Sequence, residues 1–188
     1  MHKRLYAFCF AILPVMVCSG MVYSILALYF ADLGASTGQI GLIYTTGALA
    51  GALSSPLLGH LADRYGRKPV IFTAMLAFLM VFLAYALMGH IRLAFPIQAV
   101  EGTAWAALGA AATAMVADLA PPAHRGWAMG VYDRTWFIGW IVGPAFGGFV
   151  AEHLGFRQTF IIAGSLILLG LVILFFWVKE PSRAGRES

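Results

Sequence analysis

The sequence predicts an all-α membrane protein: six transmembrane helices in a single bundle, built as a 3+3 inverted repeat. Three observations carry this expectation. Hydrophobic residues make up 61% of the 188-residue chain and charged residues only 11%, against about 25% charged in an ordinary soluble domain. A soluble fold of this size has no interior large enough for that much apolar surface, so the solvent must be lipid. The apolar residues fall into six runs, and a short glycine-and-acid pattern recurs once in each half of the chain.

The runs cover roughly residues 5–30, 38–58, 69–89, 94–117, 127–150 and 158–178. Each is close to or above the ~20 residues that cross a bilayer as a helix. Lipid cannot satisfy free backbone groups, which makes each run a helix. The first run is too long for a signal peptide, and no small-residue cleavage site follows a short apolar core. It holds both cysteines, Cys9 and Cys18. On a helix these lie on opposite faces about 13 Å apart along the axis, too far to bridge, so both read as packing residues. The joining segments are short, which makes neighbouring helices antiparallel. No linker divides the chain, so residues 1–188 read as one membrane unit.

Lysine and arginine set the orientation. With an even number of spans, one side carries Lys3, Arg4, Arg64, Arg67, Lys68, Arg125, Lys179, Arg183 and Arg186, and the other only Arg92 and Arg157. Arg134 falls inside a span. Both termini are therefore expected in the cytoplasm, in a plasma membrane of the bacterial inner-membrane kind.

The recurrence pairs Gly59, Ala62, Asp63 and Gly66 with Gly148, Ala151, Glu152 and Gly155 at identical offsets. Upstream, Gly51 and Pro56 are echoed within one position by Gly139 and Pro144. Three spans separate the copies, so they lie on opposite sides of the membrane. Three helices repeated upside down are the mark of inverted-repeat secondary transporters.

Two motifs carry a family resemblance. Residues 59–70 read "GHLADRYGRKPV". This resembles the signature G-x-L-a-D-r-x-G-r-k found between the second and third helices of the major facilitator superfamily, with Gly59, Leu61, Asp63, Arg64, Gly66, Arg67 and Lys68 all in place. Residues 139–148, "GWIVGPAFGG", are similar to the G-x-x-x-G-P-x-x-G-G pattern of its antiporter branches. Weaker echoes are "DLAPPAHRGWAMG" at 118–130 and "VKEPSR" at 178–183. The resemblance covers the whole chain but only the N-terminal half of an architecture that normally has twelve helices in two bundles.

The first motif also has a physical reading. Gly59 and Gly66 permit close backbone approach and a tight turn, with Asp63 just past the end of the second helix. The resemblance implies that Asp63 faces a helix N-terminus of the other bundle, where the dipole favours an anion. It also implies that Arg67 pairs with Asp118 at the end of the fourth helix. Such a cluster forms when the transporter is open outward and breaks when the cytoplasmic side opens, a latch that biases alternating access. Without the resemblance, the same residues read as a positive loop that fixes topology.

In the fifth span Gly139, Gly143 and Gly147 make a smooth stripe for close helix contact, Pro144 invites a bend, and Gly148 completes the motif. Gly47 and Gly51 make a second pair. Both stripes imply a partner surface that this chain does not contain: a second six-helix bundle. It is expected as the continuation of a longer protein lost by truncation or frameshift, as a separately encoded half, or as a second copy of this chain. The tail "KEPSRAGRES" resembles the start of a cytoplasmic linker.

Charge within spans is expensive and usually functional. Glu101 lies about 10 Å into the fourth helix from the outer side, and Asp133 and Arg134 about 10 Å into the fifth from the cytoplasmic side. Glu101 reads either as a hydrogen-bond partner of Gln98 or as a protonatable carboxylate that couples transport to protons. Asp133 and Arg134 read either as a structural pair near the headgroups, where Arg134 can snorkel, or as part of the transport path. The family pattern R-x-x-q-G stands here as "QAVEG" at 98–102. Gln98 replaces the arginine linked to proton coupling, and Glu101 occupies a position where glutamine is common. Helix one offers Tyr23, Ser19, Ser24 and a bend at Pro14. Tyr44, Trp105, Trp136 and Trp140 add aromatic surface, which reads either as lipid-facing or packing residues or as a solute surface sparse in polar groups. Such a solute surface suits a small amphipathic solute better than a sugar or an organic acid.

The expected activity is transport of such a solute, as efflux or antiport. The alternative is a non-transporting scaffold or regulator that pairs with a full-length transporter. The histidines sit at loops or termini, and neither H-E-x-x-H nor G-x-S-x-G is present, so an enzyme is not expected. Nor is a metal, a cofactor or nucleic acid.

Overall fold

The computed structural model describes residues 2–180, so Arg183, Arg186 and the tail from Pro181 onward lie outside the described residues. Six α-helices follow one another: α1 (His2–Asp32), α2 (Thr37–Tyr65), α3 (Arg67–Leu87), α4 (Ala94–Leu119), α5 (Arg125–Leu154) and α6 (Phe156–Trp177). All are long and apolar enough to cross a bilayer. Single 3₁₀ turns at Ile91–Leu93 and Pro122–His124 lead into α4 and α5.

Local chemistry fixes the ends. Ser36 caps α2 in a reciprocal capping box with Gln39, which satisfies two otherwise orphaned backbone donors. Gly66 and Gly155, with φ of +111° and +85°, each form a one-residue break between consecutive helices. A side chain at either position would be strained. Asp63 lies in the last turn of α2, not beyond it as the sequence suggested. The aspartate and its neighbours continue the helix until Gly66 breaks it.

The most buried helix is α1, which packs on α5 and α6; α4 packs on α2 and α3; and α3 meets α6. Exchanging the first three helices with the last three converts α1–α5 into α4–α2 and α1–α6 into α4–α3. A 3+3 repeat requires this pairing. Cys9 and Cys18 are both free and buried. Tyr29 ties the far end of α1 to α3 through the carbonyls of Tyr85 and Met88, at 2.9 and 3.0 Å.

The glycine stripes do not await an absent partner. Carbons added at Gly139, Gly143 and Gly147 would strike the α1 backbone at Met16, Val17 and Met21 respectively. Gly47 and Gly51 meet α4 in the same way, at Gln98 and Gly102. Both stripes are spent inside the bundle, where they allow α1–α5 and α2–α4 to approach backbone to backbone. Gly148 and Gly59 are not close-contact positions of this kind: a carbon added at either meets nothing within 4 Å among the described residues.

Candidate functional site

An open groove of about 550 Å³ lies between α1, α2 and α4. Its floor is smooth where Gly47, Gly51 and Gly102 bring α2 and α4 together. Tyr23, Tyr44 and Trp105 stand on its walls. Tyr23 is the hub of the aromatics, with ring centroids 6.5, 6.4 and 6.2 Å from Tyr44, Trp105 and Trp140. Trp136 continues the chain, 5.4 Å from Trp105 and 6.3 Å from Trp140. The Trp105 indole N–H donates to the Tyr23 hydroxyl at 3.0 Å.

Behind the wall sits Glu101, with no exposed surface. It does not bond Gln98, one turn earlier, as one sequence reading proposed. Both residues instead converge on the Tyr85 hydroxyl from α3: Oε1 of Gln98 at 2.7 Å and Oε2 of Glu101 at 2.8 Å. The Tyr23 hydroxyl also faces the Glu101 carboxyl. Among the described residues, Glu101 Oε1 and Ser19 Oγ are sealed from solvent and have no hydrogen-bond partner. An unpaired buried carboxylate oxygen is costly, so the site has unused capacity to bind a proton or a donor. Gln98 lines the groove and Glu101 does not.

The other intramembrane charges stand apart. Asp133 and Arg134 are exposed, do not line the groove and form no ion pair with each other among the described residues. Asp133 shares a helix face with Trp136 and Trp140 by spacing.

At the opposite end, the residues of 59–70 gather three helices. Arg67, 7% exposed, pairs through Nη1 with Asp63 one turn earlier and through Nε with Asp118 at 3.3 Å. The Glu180 carboxylate accepts from the Arg67 and Lys68 amides, at 2.7 Å each, and so caps the N-terminus of α3, where the dipole favours an anion. One of its oxygens lies 2.8 Å from where a side chain at Gly66 would begin. Lys68 Nζ donates to the Phe175 carbonyl at 2.9 Å, and the Arg64 guanidinium stacks on Tyr65. The turn is thereby fastened to the ends of both α4 and α6.

A family profile, that of the Major Facilitator Superfamily, matches residues 8–188. The chain belongs to the major facilitator superfamily. It is an integral membrane protein of this transporter family. It is 31% identical over 164 residues to the multi-drug resistance efflux pump PmrA of Streptococcus pneumoniae, covering 85% of this chain and 41% of that one. It is 26% identical over 184 residues to the quinolone resistance protein NorA of Staphylococcus aureus, covering 98% and 47%. The chain thus spans about half the length of the curated relatives it matches. Among solved structures, the human organic anion transporter MFSD10 (TETRAN) superposes with a TM-score of 0.81 at 17% identity, over 96% of this chain and 48% of that one. A bacterial homolog of the human lysosomal transporter Spinster, in an inward-facing and occupied conformation, gives 0.81 at 19%, over 95% and 44%. These two likenesses are of fold.

Within this major facilitator bundle, sequence reasoning missed Tyr85 and Glu180. Tyr85 is one tyrosine in an apolar run, and only the fold brings it against α4. Glu180 belongs to the "VKEPSR" echo, but its target lies 113 residues earlier in the chain.

Proposed function

We propose that this chain serves as the N-terminal six-helix bundle of an efflux transporter that moves a small amphipathic solute by alternating access, in exchange for protons. The observation that carries this reading is the open aromatic groove with a sealed carboxyl directly behind it. Aromatic faces and a smooth glycine floor offer apolar contact with little directional demand, which suits a partly hydrophobic solute. Glu101 is the proton-coupling residue, Gln98 and Tyr23 are its link to the groove, and with glutamine in place of the helix-four arginine Glu101 meets no buried cation among the described residues. The names of PmrA and NorA, an efflux pump and a quinolone resistance protein, support export.

The groove is open on one side, and α2, which lines it, is with α5 the least buried of the six helices. A second six-helix bundle closes it, whether fused, separate or a second copy. Asp63, Arg67 and Asp118, helped by Gly66, Arg64 and Lys68, hold the cytoplasmic end in one state and release it in the other. Both termini face the cytoplasm of a bacterial inner membrane, following the arginine and lysine bias.

Reconstituted vesicles test the reading. The chain is inserted with and without the C-terminal half of a related efflux pump, and uptake of a fluorescent amphipathic dye is followed under an imposed pH gradient. Gradient-driven flux is expected with the second half present and is abolished by Glu101→Gln. Flux unaffected by Glu101→Gln contradicts proton coupling through this residue. No flux with the second half present, together with tight association of the halves, identifies a scaffold.

A further inference from the structure

The Tyr85 hydroxyl has one proton but faces two oxygens, Gln98 Oε1 at 2.7 Å and Glu101 Oε2 at 2.8 Å. Two hydrogen bonds need two protons, so the second must come from a neighbour. If Glu101 is protonated, it donates to Tyr85, and Tyr85 donates to Gln98. If Glu101 is ionised, Tyr85 donates to it, and Gln98 must turn its amide over to donate N–H to the phenol oxygen. The two ends of a primary amide have the same shape, so a half-turn about its terminal bond exchanges donor and acceptor. The rest of the Gln98 side chain keeps its place.

The far end of that amide meets the groove. Nε2 would lie 3.0 Å from a carbon added at Gly47, on the groove floor. It makes no hydrogen bond among the described residues and is not one of the sealed unpaired atoms. Among the described residues, the titratable groups that interact electrostatically with Glu101 are Cys18 and Tyr23 from α1, Tyr44 from α2 and Tyr85 from α3, with no cation among them. Glu101 has no exposed surface, and Gln98 is the groove-lining residue that shares its Tyr85 bond.

We propose that Gln98 is a polarity switch that shows the groove a hydrogen-bond donor when Glu101 is protonated and an acceptor when Glu101 is ionised, so that the groove selects solutes with an N–H donor head in the ionised state. The proposal rests on Glu101 being the proton site. Binding of such a solute proceeds in one balanced step. The Oε2–H bond of Glu101 breaks, its electron pair stays on the carboxylate, and the proton passes to water during a transient local opening of the wall that otherwise seals Glu101. The Tyr85 proton turns from Gln98 to Glu101, and a Gln98 N–H takes over as donor to Tyr85. The Gln98 carbonyl now accepts from the solute. Solute and proton exclude one another without touching, and Gln98 and Tyr85 act as positioning residues.

The test uses two probes whose charge is fixed between about pH 5 and 9: a naphthylmethyl guanidinium, which carries N–H donors, and a naphthylmethyl trimethylammonium, which has none. Binding to the 188-residue chain in lipid nanodiscs is read by tryptophan quenching across that range. Both cations are expected to bind more tightly as Glu101 ionises, and the guanidinium by about tenfold more, the worth of one hydrogen bond. Gln98→Leu and Tyr85→Phe are expected to make the two pH profiles parallel, while Glu101→Gln flattens both. Parallel profiles in the wild type, or a tenfold difference that survives Gln98→Leu, overturn the switch while leaving Glu101 as the proton site. A pH profile that persists in Glu101→Gln removes the proton site itself, and the switch with it. A second measurement does not depend on the probes. The Gln98 amide carbonyl band, isolated as the infrared difference between wild type and Gln98→Leu, is expected to shift with pH and to stop shifting in Tyr85→Phe. A band that never moves also overturns the switch.

Discussion

Replacing Asp118 by asparagine keeps the side chain's volume and removes the charge against which Arg67 is buried. The Arg67 side chain is 9% exposed and that of Asp118 21%, with 3.3 Å between Nε and Oδ2. The second partner, Asp63, has a side chain 68% exposed, so water screens that pair and little compensation comes from it. A hydrogen bond to a charged group contributes about 1.5–3 kcal/mol. Partial exposure of Asp118 argues for the lower end, about 1.5 kcal/mol, which is roughly tenfold in an equilibrium constant. The Arg67 and Lys68 amides, held by Glu180, report opening of the turn. Hydrogen exchange at these two amides is expected to quicken about tenfold in Asp118→Asn. Amides in the α1–α5 contact should be unchanged. Equal exchange in mutant and wild type at the two reporter amides would refute the claim that this pair holds this end of the bundle together.

Other expectations follow from the same contacts. Gly143→Val drives a side chain into the Val17 carbonyl of α1 and should cost about 1–3 kcal/mol by overpacking, whereas Gly148→Ala should be tolerated, both read by thermal melting in detergent. Gly66→Ala meets both a φ of +111° and the Glu180 carboxylate; it should lower the melting temperature, while Glu180→Gln mainly speeds exchange at Arg67 and Lys68. Tyr23→Phe removes the acceptor of the Trp105 indole and should shift tryptophan emission without unfolding the chain.

Much of the fold is legible because lipid imposes a simple rule: apolar runs of sufficient length become helices, and the residues between them become turns. The ends are less legible. Asp63 reads as a loop residue from its charge, yet the helix continues until a glycine with positive φ stops it. The glycine stripes announce close packing, but a stripe does not name its partner, and the partners prove to be α1 and α4 of the same bundle. The Asp63–Arg67–Asp118 cluster could be assembled only through the family resemblance, since Arg67 and Asp118 lie 51 positions apart. Tyr85 shows the other limit. Its side chain resembles those of other tyrosines in apolar runs, and its role exists only because α3 crosses α4 where Gln98 and Glu101 project on one face, three residues apart.

The most direct test of the central claim counts protons. Binding of the naphthylmethyl guanidinium to the chain in nanodiscs, in weakly buffered solution near the midpoint of its binding-versus-pH curve, should release a substantial fraction of one proton per solute, about half or more, by linkage. Glu101→Gln should release none. Binding that liberates no proton from the wild type, or the same number from both proteins, would contradict the account.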